Sequence, residues 1–132
     1  AVQMPGNFLA PSHALLRATA ARLLPERLAQ EAYLPPVLGP DDYMRLLHPM
    51  GEVTGWETTY IQRLGPVAGG GHPVRAFTQS TAMRPFLTGL SADAASAFIA
   101  DYEAALQLAY PCQPDGGVFF PFRRVFFVLT RG

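Results

Sequence analysis

The sequence predicts an α/β fold, and three observations support that prediction. Stretches rich in β-branched and aromatic residues occur at 1–4, 53–64 and 117–130. Between them lie segments in which apolar residues recur at helical spacing. The resulting order, β-α-α-β-α-α-β, is typical of a sheet layered with helices.

Composition and charge narrow the class of protein. The 132 residues carry no net charge at neutral pH, and all ten basic residues are Arg, scattered along the sequence. A scattered and balanced set argues against nucleic-acid binding, whereas each planar guanidinium suits a carboxylate or phosphate. No apolar run reaches the roughly 18 residues that cross a bilayer, and Cys112 is the only cysteine. We therefore predict a cytoplasmic protein that contacts neither nucleic acid nor membrane.

The first third of the chain predicts a strand and two helices. The strand over 1–4 ends at Pro5 and Gly6, which break a β-ladder. Ser12 is the expected N-cap of a helix over 12–24. That helix presents one apolar face, made of Leu15, Leu16, Thr19, Leu23 and Leu24. A second short helix is expected over 26–32.

A proline-rich linker over 34–40 leads into the middle of the chain. The segment 41–50 predicts a short helix, because Asp41 and Asp42 favour a helix N-terminus and Gly51 ends the pattern. The strand over 53–64 follows, and its side chains alternate between two faces. One face carries Trp56, Thr58 and Tyr60, and the other carries Glu57, Thr59 and Ile61.

The last part of the chain predicts two helices and a strand. A flexible loop over 65–73 precedes a short helix over 74–81, and the following stretch is expected to be irregular because Pro85 disfavours a helix at Arg84. Ser91 is the expected cap of the longest helix, over 92–109. Its apolar stripe comprises Phe98, Ile99, Tyr102, Leu106 and Ala109. The final strand is so apolar that we expect burial on both of its faces.

Motifs that would indicate catalysis or metal binding are missing from the sequence. The triple glycine at 69–71 fits neither a dinucleotide-binding loop nor a Walker loop. The three His residues are 35 and 24 positions apart, which argues against a metal site. Cys112 lies in a turn-rich stretch and is expected to be an ordinary loop thiol. The spacing also predicts no pair of nucleophile and base.

Five ordered phrases stand out instead. They read AVQMPGNF.APSH at 1–13, GWETTYIQRL at 55–64, HPV..FT..TAMRPFL at 72–87, AYP....GG at 109–117 and FPFRRVFFV at 120–128. In that order the chain closely resembles the C-terminal half of trans-aconitate methyltransferases, which are class I S-adenosylmethionine-dependent enzymes. The resemblance covers nearly the whole chain without a large gap.

The resemblance implies a particular place in a Rossmann-like, doubly wound sheet of seven strands. The segments 1–4, 53–64 and 117–130 correspond to strands five, six and seven, and the antiparallel seventh strand inserts between the other two. The family binds S-adenosylmethionine on its first four strands, so the intact enzyme would use that cofactor and this chain is expected to bind none. The chain would form one partial domain, with a sheet portion at 1–64 and 117–132 and a helical substrate-recognition insertion at 65–116.

The activity implied by the resemblance is methyl transfer to a carboxylate of a small polycarboxylic acid such as trans-aconitate. A carboxylate has a pKa of about 4 and is already a nucleophile at neutral pH. Catalysis would therefore rest on alignment, with no general base. The remaining carboxylates of the acid would need cations and hydrogen-bond donors from the protein.

Topology indicates where those donors should lie. Ligands of open α/β sheets sit beyond the carboxyl ends of the parallel strands, and here those ends lead into 5–13 and 64–80. Arg84, in the insertion, is either a bidentate clamp on a substrate carboxylate or part of an internal salt bridge. Asn7 and His13 could donate hydrogen bonds to substrate. Alternatively, they could be ordinary polar loop residues or helix-capping residues.

Three further candidates lie on the predicted strands. The Tyr60 hydroxyl, near the end of its strand, could touch the substrate, whereas Trp56 could equally be a core residue. Arg123 and Arg124 are adjacent on a strand and must face opposite sides. One of them is expected to reach the site, with Arg123 preferred, while the other pairs structurally. The candidate substrate-binding residues are therefore Arg84, Tyr60, Asn7, His13, Arg123 and Trp56.

Two rival interpretations remain open beside the enzyme. The chain could be a stand-alone binding module for small acids that uses no cofactor. It could also be a truncated product that self-associates through its exposed first strand. A long upstream extension of the reading frame, with a glycine-rich loop after a strand, would favour the enzyme. The mass in solution would test self-association.

Overall fold

The computed structural model describes residues 1–30, 37–79 and 81–131, with side chains at 28–30 left aside. It confirms the α/β class, and the three predicted strands are all present. The elements in chain order are β1 (Val2–Pro5), α1 (Pro11–Leu23), α2 (Pro25–Gln30), α3 (Pro40–Leu47), β2 (Glu52–Leu64), α4 (Pro73–Gln79), α5 (Arg84–Leu87), α6 (Ala92–Ala109) and β3 (Val118–Thr130), with a 3-10 turn at His48–Met50 after α3.

The three strands form one sheet in the order β1-β3-β2. The strand β1 pairs antiparallel with β3, in a register that runs from Val2 opposite Phe127 to Pro5 opposite Arg124. The central position of the last strand, implied by the resemblance, is therefore confirmed. This arrangement is consistent with the C-terminal part of a class I methyltransferase sheet.

Aromatic contacts define the alignment of β2 with β3. The Trp56 ring stacks on Phe126 with centroids 5.3 Å apart, and the Tyr60 ring lies 5.6 Å from that of Phe122. Moving four residues forward on β2 thus moves the partner four residues back on β3. Such a relation is the signature of antiparallel strands.

The chain divides into two compact units. The first comprises Ala1–Leu9, Leu34–Gln62 and Pro121–Gly132, and the second comprises Ala10–Tyr33 and Arg63–Phe120. The second unit thus groups the segment 10–33 with the predicted insertion. Whether 65–116 acts as a substrate-recognition insertion stays a prediction.

The first unit packs α3 against one face of its strands. The ring of Tyr43 stacks on Phe127 at 5.1 Å, and its hydroxyl donates to the Met4 sulfur at 3.7 Å. On the same face of β3, Val125 is fully buried. These contacts fix α3 beside the strands that form the candidate site described below.

The second unit is a helical cluster built around α6. The helices α1 and α4 both pack on α6, whose side chains Phe98, Tyr102 and Leu106 are fully buried. Ser91 caps α6 as predicted, because its hydroxyl accepts a hydrogen bond of 3.2 Å from the Ala94 N–H. The long periodic segment was thus a reliable helix signal.

The predicted cap of α1 is wrong. The N-cap is Ala10, without a side-chain hydrogen bond, and Pro11 occupies the first turn. Ser12 is instead fully buried, and its N–H donates to the Tyr110 hydroxyl at 2.9 Å. A tyrosine from elsewhere in the unit therefore satisfies one of the first N–H groups of the helix, which have no acceptor within the helix itself.

The irregular stretch predicted around Pro85 is also wrong, since α5 begins at Arg84. A proline in the first turn of a helix costs little, because the N–H that it lacks has no acceptor within the helix. The end of the predicted helix over 26–32 and most of the linker over 34–40 lie outside the described residues.

Burial of β3 on both faces is confirmed only in part. Val118, Phe120 and Phe122 are buried on one face and Val125 is buried on the other, whereas Phe119 is 56% exposed. Each face of the strand is therefore covered along only part of its length. High apolar content alone could not distinguish this pattern from a doubly covered strand.

Candidate functional site

A cleft of about 230 Å³ opens at the carboxyl end of β1, within the first unit. The chain leaves β1 at Gly6, whose N–H donates to the Arg123 carbonyl oxygen at 2.8 Å. The residues that line this β1 cleft are Gly6, Phe8, Leu9, Val37, Leu38, Gly39, Asp42, Arg123 and Val125. This is the sheet edge where topology predicts ligand binding.

Arg123 is held in the β1 cleft from two directions. Its Nη2 lies 2.6 Å from Glu57 Oε2, and its backbone N–H donates to Asn7 Oδ1 at 2.9 Å. Gly6 permits a close approach to Val125, because a Cβ at that position would stand 3.1 Å from Val125 Cγ2, while the Arg123 Cγ and Nε would be at ordinary contact distances of 3.7 Å and 3.8 Å. The guanidinium therefore has a defined position even though its side chain is 34% exposed.

Two buried donors near this cleft lack an acceptor. Asn7 is only 7% exposed, and its buried Nδ2 has no hydrogen-bond partner among the described residues. The buried Nε of Arg123 is in the same condition. Unsatisfied buried donors are rare in folded proteins and are often completed by a ligand or water. Arg123 lines the β1 cleft, and Asn7 lies in the sequence between the lining residues Gly6 and Phe8.

A third unsatisfied donor in the described part of the chain has a different explanation. Arg75 Nε, in the second unit, lies 3.5 Å from Glu103 Oε1, so its charge has a partner although the geometry is loose. The two unsatisfied nitrogens without such a partner, Asn7 Nδ2 and Arg123 Nε, both belong to the first unit.

The predicted residues Trp56 and Tyr60 lie on the other face of the sheet from Arg123. Their rings pack on Phe126 and Phe122, and the Arg124 guanidinium carbon sits 4.8 Å above the Phe122 ring. The predicted opposite orientation of Arg123 and Arg124 is confirmed. The structure does not bring Trp56 or Tyr60 into the β1 cleft, and a substrate contact for either stays a prediction.

Arg84 lies in the second unit, at the first position of α5, and it is exposed. Within the described ranges no carboxylate forms an ion pair with Arg84. Other arginines of that unit are paired with acids, among them Arg22 with Asp101 and Arg63 with Asp115. The internal salt bridge considered for Arg84 is thus not seen in the part of the chain that the structure describes.

His13 lies near the start of α1, also in the second unit, and is half-buried. Its Nδ1 is 3.0 Å from the Ser12 hydroxyl. Burial, and then the nearby charge of Arg17, lower the pKa of His13 below the ordinary 6.5. The imidazole is therefore mainly neutral at neutral pH, able to donate one hydrogen bond and accept another.

Sequence reasoning missed the contribution of Glu57 and Gly6. The alternation of β2 already separated Glu57 from Trp56 and Tyr60, but the partner of Glu57 depended on the strand register. That register follows from contacts between distant segments and is not visible in local sequence.

The triple-glycine loop does not match a nucleotide-binding turn, and the described ranges contain no cluster of metal ligands. Gly69, Gly70 and Gly71 have positive φ angles, but their loop precedes the short α4 and does not form the strand–glycine-rich turn–helix that holds a nucleotide. Throughout the described ranges, no three His, Cys, Asp or Glu side chains cluster as metal ligands would. None of the helices seen there has the length and apolar character to cross a membrane.

Comparison with known proteins gives a consistent result. No family model matches the chain. Proteins named trans-aconitate 2-methyltransferase do match it: one from Rhodococcus jostii (strain RHA1) is 44% identical over 97% of the chain and half of its own length. Those from Mycobacterium sp. (strain KMS) and Streptomyces avermitilis are 41% and 43% identical over 100% and 99% of the chain, and 52% and 48% of their own lengths.

The chain thus spans about half the length of the curated relatives it matches. Along nearly all of its sequence it is similar to trans-aconitate 2-methyltransferases, which confirms the resemblance found in its motifs.

Proposed function

We propose that the chain is the substrate-recognition part of an S-adenosylmethionine-dependent methyltransferase that esterifies a carboxylate of a small polycarboxylic acid, with trans-aconitate as the first candidate. The similarity to proteins of that name supports the reaction class. One structural observation supports acid binding above all others, namely the unsatisfied Nε of Arg123, a lining residue of the β1 cleft, together with the unsatisfied Nδ2 of Asn7, whose Oδ1 accepts from the Arg123 N–H.

A carboxylate is the natural acceptor for this pair of donors. Each of its oxygens accepts more than one hydrogen bond, and a guanidinium donor adds charge assistance. Hydrogen bonds to a charged group contribute about 1.5–3 kcal/mol each. An acid that met both donors would therefore be held with useful affinity at the ligand edge of the sheet.

The proposed reaction needs positioning from this chain and no proton transfer. A substrate carboxylate is ionised well above its pKa of about 4, so it attacks as it stands. Fixing its orientation reduces the entropic part of the barrier. The neutral His13 is then a hydrogen-bonding group rather than a base.

Arg84 is proposed separately as a residue that binds a substrate carboxylate. It is the exposed cation at the head of α5, without an acid partner in the described ranges. The segment 65–116, to which it belongs, is proposed as a substrate-recognition insertion. His13, Tyr60 and Trp56 remain candidates for secondary contacts with the substrate.

The methyl donor is assigned to residues outside this chain. S-adenosylmethionine would supply a methyl group made electrophilic by its sulfonium, and the triple-glycine loop of this chain lacks the strand–turn–helix setting of a nucleotide-binding loop. The chain alone is therefore expected to be inactive, and to bind the acid but not the donor. Isothermal calorimetry that gave micromolar binding of S-adenosylmethionine to the chain would overturn this assignment.

The acid-binding proposal is tested with Asn7→Asp in the full-length protein. The substitution replaces a donor with a carboxylate, so the KM for trans-aconitate should rise at least tenfold while the KM for the methyl donor stays within twofold. The matched control is Asn7→Ser, which keeps a small polar donor and should have a milder effect. Equal acid KM values for wild type and Asn7→Asp would remove the β1 cleft from the site.

Simple measurements can distinguish two alternative functions from the enzymatic one. A stand-alone small-acid binding module would bind trans-aconitate but show no methyl transfer even as the full-length protein. Self-association is suggested by the place of β1 at a sheet edge, since an edge strand presents unpaired backbone groups. A monomeric mass by light scattering would reject it.

A further inference from the structure

We infer that Glu57 is a positioning residue of the β1 cleft. By holding Nη2 of Arg123, it fixes the guanidinium so that the Nε–H stays available to a substrate carboxylate. This inference deepens the proposed function and rests on it for the identity of the ligand. Three sets of contacts around Arg123 support this role.

The first contact is the ion pair itself. Glu57 Oε2 and Arg123 Nη2 are 2.6 Å apart, and the two residues lie on the same face of the antiparallel strands β2 and β3. A short-range cross-strand pair of opposite charge restricts both side chains. With Nη2 occupied, rotation of the guanidinium away from the cleft would break this pair.

The second contact holds the other end of the same residue. The Arg123 N–H donates to Asn7 Oδ1 at 2.9 Å, and its carbonyl accepts from the Gly6 N–H at 2.8 Å. The backbone and the tip of the side chain are thus both fixed. The Nε between them is buried and has no acceptor in the described part of the chain.

The third set of contacts keeps the Glu57 carboxylate within reach of the Arg123 guanidinium. On the reverse face of the strands, Trp56 stacks on Phe126 with an angle of 3° between the rings, and Tyr60 packs on Phe122. These two aromatic pairs flank the ion pair along the strands. They oppose a slip of register, which would move Glu57 to the other face.

Loss of Glu57 should therefore free a guanidinium whose backbone stays in place. The rival role is electrostatic competition, in which the Glu57 carboxylate repels an incoming acid and its removal improves binding. The two roles give opposite results with Glu57→Ala. Glu57→Gln separates them further, because it keeps an oxygen that accepts from Nη2 but carries no charge.

The first measurement needs no ligand. The chain has ten Arg and no Lys, so its arginine Nε–H groups form a small set of NMR signals, and the Arg123 signal is assigned by its loss in Arg123→Lys. In wild type we expect slow hydrogen exchange at this Nε–H. Glu57→Ala should accelerate the exchange at least tenfold, and Glu57→Gln should restore most of the protection.

The second measurement is a titration of the same variants with trans-aconitate. The Kd should rise about five- to tenfold in Glu57→Ala and less than threefold in Glu57→Gln. Glu52→Ala is the matched control, since Glu52 is an exposed acid of the same strand that forms no ion pair in the described ranges, and it should leave both readouts unchanged.

The outcomes distinguish the inference from the proposed function. If the Arg123 Nε–H exchange is the same in wild type and Glu57→Ala, the positioning role is wrong. Tighter acid binding in Glu57→Ala would also overturn it, in favour of competition. If the exchange responds as expected but wild type binds no polycarboxylate, the positioning role stands and the proposed acid ligand is wrong.

Discussion

The phenolic hydroxyl of Tyr102 on α6 donates a hydrogen bond of 2.7 Å to the Ser12 carbonyl oxygen on α1, and both residues are fully buried. The same hydroxyl lies 3.3 Å from Thr78 Oγ1 on α4. One side chain thus connects three helices of the second unit, α1, α4 and α6.

Tyr102→Phe should lower the free energy of unfolding by about 1–3 kcal/mol, because the Ser12 carbonyl would lose its donor inside the core. Urea denaturation followed by circular dichroism measures the change. Tyr60→Phe is the control, since it removes a hydroxyl from a side chain that is 40% exposed and should change stability by less than about 0.5 kcal/mol. An unchanged free energy of unfolding in Tyr102→Phe would show that the contact is not maintained in solution.

The titration of Tyr102 should be delayed at alkaline pH. Burial raises its pKa from 10.0 to about 12, against the opposing hydrogen bond with Thr78. Because the folded pKa exceeds the unfolded value, the associated stability is complete below pH 10 and is lost as the pH rises toward 12. Ultraviolet titration of phenolate should show one tyrosine ionising late or together with unfolding. Ordinary ionisation of all five tyrosines near pH 10 in folded protein would contradict the prediction.

His13 should titrate below the ordinary imidazole range. Burial and the Arg17 charge lower its pKa from 6.5, so the unfolded chain binds a proton more readily than the folded one. The stabilising contribution is therefore present above pH 6.5 and decreases as the pH falls through the folded pKa. NMR titration of the imidazole Cε1–H measures it directly. Arg17→Gln should move the pKa part of the way back, and a wild-type value of 6.5 or higher would be inconsistent with the structure.

Arg84→Ala should raise the KM for the acid substrate of the full-length protein about tenfold or more, which corresponds to the loss of one charge-assisted hydrogen bond. The KM for the methyl donor and the thermal midpoint should change little, because the side chain is exposed. Arg22→Ala is the matched control, since it removes an exposed arginine that is paired with Asp101. Unchanged acid kinetics would exclude Arg84 from the site.

Gly6→Ala should disturb the β1 cleft. The added Cβ would lie 3.1 Å from Val125 Cγ2 and 3.8 Å from Arg123 Nε, so the Val125 side chain must shift, at a cost of about 1 kcal/mol. Acid affinity should fall more than stability does. Gly65→Ala provides the control, because its nearest neighbour would be Arg63 Nη1 at 3.8 Å. Equal affinities for the two variants would argue against close packing at Gly6.

Local signals were sufficient for much of the fold. The periodicity that ends at Ala109 and the cap at Ser91 belong to one segment, and both were found as predicted. Ser12 carried the same local signal, but the helix begins earlier, with Ala10 as its N-cap and Pro11 in its first turn. The Ser12 N–H instead donates to the Tyr110 hydroxyl from a distant segment. Such competition between local and distant groups is not visible in sequence.

The candidate site was harder to predict, because its geometry depends on register. Asn7 and Arg123 were singled out for their chemistry, and the structure joins them through the Arg123 N–H. Glu57 was placed on the correct face of its strand but was not linked to Arg123. That link exists only when β2 and β3 are aligned, and the alignment is set by aromatic pairs on the reverse face.

The pairing of Val2 with Phe127 has a consequence for the order of folding. The strand β1 is synthesised well before its partner β3, which is the last strand among the described residues. Closing so long a loop is entropically costly, so this pairing should form later than the local contacts of α6. Until β3 has been synthesised, β1 has no partner within this chain, and its unpaired backbone is open to association with other strands.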